Sequence, residues 1–83
     1  MNMLTPEQIE RIHQVTDAFD LDRDAVVVPL AASEQGREFI MPDGKLLIRA
    51  PGGDAFEAWI ADLRRRLDYL DLSRTPKASG PKR

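Results

Sequence analysis

Phe56, Trp59, Ile60, Leu63, Leu67 and Leu70 recur at i, i+3, i+4, i+7, i+11 and i+14, the spacing of one side of a helix. A helix striped in this way must bury that side, so the rest of the chain has to supply a surface that covers it. The break Pro51-Gly52-Gly53 precedes it, and Asp54, with Glu57 three residues on, is placed to cap its start. On its wet side Asp62 with Arg66, and Arg64 with Asp68, are spaced for i,i+4 ion pairs. That leaves Arg65 as the freest cation of the Arg64-Arg65-Arg66 run.

A second helix is announced near the N-terminus. Thr5 and Gln8 form a capping box, Pro6 suits the first helical position, and Leu4 and Ile9 stand where a hydrophobic staple would form. Ile9, Ile12, Val15, Thr16 and Phe19 make its apolar side. Asp17, Asp20, Asp22 and Asp24 crowd the negative end of its dipole, so it should stop between Phe19 and Leu21. Between the helices, Ala25–Val28 is β-branched and reads as a strand, held at an edge or ended by Pro29, which has no N–H to donate. Arg37–Met41 and Lys45–Arg49 flank Pro42-Asp43-Gly44, a hairpin signal. Leu46, Leu47 and Ile48 are consecutive apolar residues, so one or two of them should face a second packing surface. The expected fold is α+β in the order α-β-β-β-α, a small three-stranded antiparallel sheet with both helices packed on one face.

Eighty-three residues make one domain, and a chain this short buries only about 60% of the surface it exposes when unfolded. No cysteine is available to staple it or to bind metal, which fits a reducing cytoplasm. No basic region leads into an apolar stretch at the N-terminus, and no apolar run approaches the roughly 20 residues of a membrane span, so a cytoplasmic protein without a membrane partner is expected. All fourteen acids lie in 1–72 against eight Arg and Lys, a net of −6, whereas 73–83 hold Arg74, Lys77, Lys82 and Arg83 and no acid. The expected organisation is a compact acidic domain over 1–72 and a flexible basic tail over 73–83, the latter rich in Pro and Gly and without a large apolar residue.

Candidate chemistry is sparse. Asp20-x-Asp22-x-Asp24 has the opening spacing of an EF-hand loop, but Ala25 stands where glycine makes the turn and Ala31 where a bidentate glutamate is needed. His13 is the sole histidine and borders the apolar stripe. Gly52-Gly53 before a helix would suit a phosphate, yet Asp54 and Glu57 follow and no Lys-Ser or Lys-Thr does. Ser33, Ser73 and Ser79 have no base in sequence view. The expectation is therefore no enzyme, no metal and no cofactor.

The α-β-β-β-α order resembles that of double-stranded-RNA-binding domains. The resemblance implies lysines at the start of the second helix, where this chain has Asp54 and Glu57 and no lysine, so it carries a shape and not the activity. Over 37–83, the Asp43-Gly44 hairpin, the helix Ala58-Trp59-Ile60-Ala61-Asp62-Leu63 and a basic Pro/Gly tail are similar in layout to the small head–tail joining proteins of tailed phages. The extra strand near 25–30 departs from that family. The resemblance implies a compact protein inside a larger assembly.

The function expected from these residues is a small protein–protein interaction protein, an adaptor, assembly component or inhibitor of the kind phages encode. Its contacts would be the acidic residues Asp17, Asp20, Asp22 and Asp24, docking on a basic surface, and an edge strand carrying Val26 and Val28. That edge would also allow a homodimer. The alternative is a nucleic-acid-associated protein using Arg65, Arg74, Lys77, Lys82 and Arg83, which the acidic body disfavours.

Overall fold

The computed structural model describes residues 3–78, in the order α1 (Pro6–Ala18), a single 3-10 turn (Arg23–Ala25), β1 (Val26–Val27), β2 (Arg37–Ile40), β3 (Leu46–Arg49) and α2 (Ala55–Asp68). The α1 capping box forms as its sequence demands: Gln8 N–H donates to Thr5 Oγ1 at 3.1 Å, and Thr5 N–H donates to Gln8 Oε1 at 2.9 Å. Asp54 instead has helical backbone angles and caps nothing with its side chain. Glu57 turns away to accept from Arg11 of α1 at 2.6 Å, tying the two helices together.

The three strands form one sheet in the order β1-β3-β2. β2 and β3 are antiparallel, with Arg37 opposite Arg49, Glu38 opposite Ile48, Phe39 opposite Leu47 and Ile40 opposite Leu46. β1 pairs with β3 in parallel, Val26 opposite Leu46 and Val27 opposite Leu47. The sheet is thus mixed, which corrects the purely antiparallel arrangement expected from the sequence. Pro29 ends the β1 ladder, and residues 28–36 form no tight turn. They carry the chain past β3, so β2 begins on the far side and β3 becomes the central strand.

Val26, Leu46 and Ile48 point to the face covered by the helices and join one core with Leu4, Ile12, Leu21, Ala50, Phe56, Trp59, Ile60, Leu63 and Leu67. Trp59 is the widest member of the α2 stripe and lies on the chain just before β2. A Cβ on Gly36 would come within 2.0 Å of Trp59 Nε1, so glycine is needed there for close approach. Among the described residues no helix is long and apolar enough to cross a membrane.

The chain after α2 differs from the free tail expected from Ser73 onward. Over 73–78 it lies on the body. Thr75 is 2% exposed, and its hydroxyl donates to the Gly44 carbonyl at 2.8 Å. Arg74 Nη2 donates to the Pro42 carbonyl at 3.0 Å. Asp22 N–H donates to the Pro76 carbonyl at 3.0 Å, and Ala78 N–H to the Asp20 carbonyl at 2.8 Å. No large apolar residue is required, because the attachment is made of backbone groups, the Arg74 guanidinium and one buried threonine. The remainder of the expected tail, 79–83 with Lys82 and Arg83, lies outside the described residues.

Candidate functional site

The acidic residues singled out in the sequence run from the last turn of α1 into the 3-10 turn, but most of them have structural tasks there. Arg23 donates to both oxygens of Asp17, at 3.3 and 2.8 Å, and to both oxygens of Glu10, at 3.2 and 3.1 Å. Asp20 takes the left-handed backbone conformation at φ 60. Asp22 Oδ1 accepts from Asp24 N–H at 3.0 Å and so caps the 3-10 turn. Val26 is buried against the core and Val28 is half-buried, leaving β1 a two-residue edge.

The hydrogen bond from Arg23, more than its charge, holds the Asp17 carboxyl below its ordinary range. A carboxyl whose folded value is depressed adds stability above its unfolded value, near 3.8, and that contribution fades as pH falls through the lower folded value. Arg23→Gln is therefore expected to lower the melting temperature at neutral pH, with the gap to wild type closing as pH falls below 3.8 and through the lowered folded value. A gap independent of pH in thermal scans would remove Asp17 from that account.

The cations expected to meet nucleic acid are likewise engaged. Arg65 pairs with Asp62 at 2.7 Å, and Arg66 pairs with Asp62 at 3.5 Å and with Glu38 of β2 at 3.4 Å. Arg64 is the member of the run without an ion pair among the described residues, which reverses the assignment of Arg65 as the freest. The Lys77 ammonium donates to the Leu72 carbonyl at 2.7 Å and the Thr75 carbonyl at 3.3 Å, and Arg74 is on Pro42. His13 Nδ1 is buried and has no hydrogen-bond partner among the described residues.

What the elements build together is on the other side of the sheet. Strand alternation puts Val27, Leu47 and Phe39 in one row across β1, β3 and β2 on the face away from the helices. Val27 is 37% exposed and Phe39 40% exposed, with Leu47 half-buried between them. The next row on the same face is Arg37 opposite Arg49. Neither arginine has an ion pair among the described residues, and the Arg37 guanidinium stands 6.0 Å from the Phe39 ring centroid. Arg37, Phe39, Leu47 and Arg49, with Ser33, Glu34 and Gln35, line an open depression of about 460 Å³. A smaller one, of about 260 Å³, lies between α1 and α2 over Val15, Ala18, Ile60 and Ala61, with Arg11 and Arg64 beside it.

Sequence reasoning did not single out Arg37, Phe39 or Arg49, and it named Leu47 only in an apolar run expected to meet a second packing surface, although the signal was present. Met41 N–H donates to the Lys45 carbonyl at 2.7 Å, closing the hairpin around Pro42-Asp43-Gly44. Counting outward by twos from that pair sets Phe39 opposite Leu47 and Arg37 opposite Arg49. No family model, no curated protein and no solved structure matches the chain, so its function has to be argued from this surface.

Proposed function

We propose that the chain is a protein-binding module, an adaptor, assembly component or inhibitor without catalysis of its own, whose contact surface is the uncovered face of the sheet. One observation carries this reading: two arginines stand directly opposite each other beside an exposed apolar row, with no acid paired to either among the described residues. Like charges placed opposite on a sheet destabilise it, by roughly 0.2–1 kcal/mol relative to a neutral pair. An anionic group from outside would turn that repulsion into two charge-assisted hydrogen bonds, and the apolar row would gain cover at the same time. An acidic protein segment meets both demands. A nucleic acid brings many phosphates toward a region, 1–72, whose net charge is −6, and Arg65, Arg74 and Lys77 are already engaged with the protein itself. A cysteine-free domain of this kind suits a reducing cytoplasm, where we place its action.

The test is differential capture from the native host with three baits: wild type, Arg37→Gln/Arg49→Gln and Asp24→Lys. Partners held by wild type and by Asp24→Lys but lost by the arginine variant are the expected result. Loss with Asp24→Lys and retention with the arginine variant would return the contact to the acidic turn and overturn the proposal.

A further inference from the structure

We infer that the segment bound is an extended strand added to the free edge of β2, with an acidic residue two positions from an apolar one; this rests on the sheet-face reading above. The hairpin register decides which backbone groups are available. Because Met41 and Lys45 form a hydrogen-bonded pair, so do Phe39 with Leu47 and Arg37 with Arg49. The N–H and C=O of Glu38 and Ile40 then point away from β3, and β2 is the last strand on that side of the sheet. No other backbone group among the described residues bonds to them. An antiparallel strand would meet Glu38 and Ile40 through its own backbone, and its alternate side chains would fall beside Phe39 and Arg37.

That placement specifies the ligand. The residue beside Phe39 extends the row Val27–Leu47–Phe39 and should be apolar. The residue two positions later lies beside Arg37, in line with Arg49, and should be Asp or Glu. The residue between them faces Glu38, whose carboxylate is already held by Arg66.

A second copy of this chain fits less well. The antiparallel register that aligns the outward groups sets Glu38 against Ile40 of the copy and Phe39 against Phe39, but it places Arg37 beside Met41. The arginines are left unanswered. An acidic partner is favoured because only it complements the charge on this face.

The probe is the acetylated, amidated pentapeptide Thr-Val-Thr-Glu-Thr, titrated at millimolar concentration into the ¹⁵N-labelled full chain. In the inferred register its Val lies beside Phe39, its middle Thr opposite Glu38 and its Glu beside Arg37. The expected result is amide shifts at Glu38 and Ile40 together with Arg37 and Phe39. Binding should weaken roughly tenfold or more when the peptide Glu is replaced by Lys, when the middle Thr is N-methylated, or in Arg37→Gln/Arg49→Gln.

Shifts at Arg37, Phe39, Leu47 and Arg49 that N-methylation leaves unchanged would overturn strand addition while the sheet-face reading stands. Absence of shifts on β2 and on the outer face would overturn both. A short oligothymidylate binding these residues more tightly than the peptide would overturn the choice of partner class. Shifts at Glu38 and Ile40 that follow protein concentration alone would give the edge to a second copy and likewise overturn it.

Discussion

Gly36→Ala is expected to destabilise the domain by about 1–3 kcal/mol, the range for forcing extra volume into a packed site. The added Cβ would meet Trp59 Nε1 at 2.0 Å, Cδ1 at 2.2 Å and Cε2 at 2.8 Å. The indole has little room to withdraw, being 7% exposed and packed against Phe56 with ring centroids 5.8 Å apart. An opposing effect exists: alanine narrows the unfolded ensemble and by itself would stabilise by about 0.4–1 kcal/mol. The clash is the larger of the two, and for a domain of this length it removes a substantial part of a total near 4–12 kcal/mol. Urea midpoints measure the loss.

Trp59→Phe in the same background identifies its cause. It narrows the ring at the point of contact and also removes an indole N–H that is buried without a partner among the described residues. The double variant should therefore be more stable than the sum of the single changes requires. A neutral Gly36→Ala would mean that α2 does not press on the start of β2.

Arg37→Glu should separate stability from binding. It converts a like-charge cross-strand pair into an attractive one, so stability should rise by about 0.2–1 kcal/mol, with the gain shrinking in high salt. Affinity for an acidic segment should fall roughly tenfold or more, because one charge-assisted contact is lost and a repulsive one replaces it. Arg49→Glu should behave in the same way. The combination Arg37→Glu/Arg49→Glu should return stability to near the wild-type level, since two carboxylates then face each other. Thermal unfolding at two ionic strengths reads the first effect and peptide titration the second. A loss of stability in either single variant would show that the arginines do not repel one another.

Much of the architecture is legible in the sequence because its determinants are local. Thr5 and Gln8 are three residues apart, the α2 stripe runs over a continuous segment, and Pro42-Asp43-Gly44 sits at the hairpin turn itself. The partner of β1 is a different kind of information. Val26 and Val27 are β-branched and would suit either a parallel or an antiparallel neighbour, so their side chains do not select β3 over β2. The choice is made by where residues 28–36 deliver the chain. The attachment of 73–78 is hidden for a related reason: on the body it uses the carbonyls of Gly44, Pro42 and Asp20 and the amide of Asp22, backbone groups that leave no pattern of side chains to read. The candidate site falls between these cases. Arg37 and Arg49 alternate visibly with Phe39 and Leu47, but their meeting emerges only once the register is counted from the turn. Of the two helix pairs anticipated on α2, Asp62–Arg66 forms and Arg64–Asp68 does not, and Asp62 also reaches Arg65 one residue short of Arg66, a choice that spacing alone does not make.

The central position of β3 also orders events in time. β1 has no neighbour until β3 exists, and β3 is held first by β2 across a three-residue turn that closes on the microsecond scale. Docking β1 then requires a loop from Val26 to Leu46 to close, and the Asp22 amide waits for a carbonyl supplied by Pro76. During synthesis the residues of the hairpin are joined before Pro76 is added. The turn after α1 must therefore remain solvated until the last stretch of the domain emerges, and the fold closes from its middle outward.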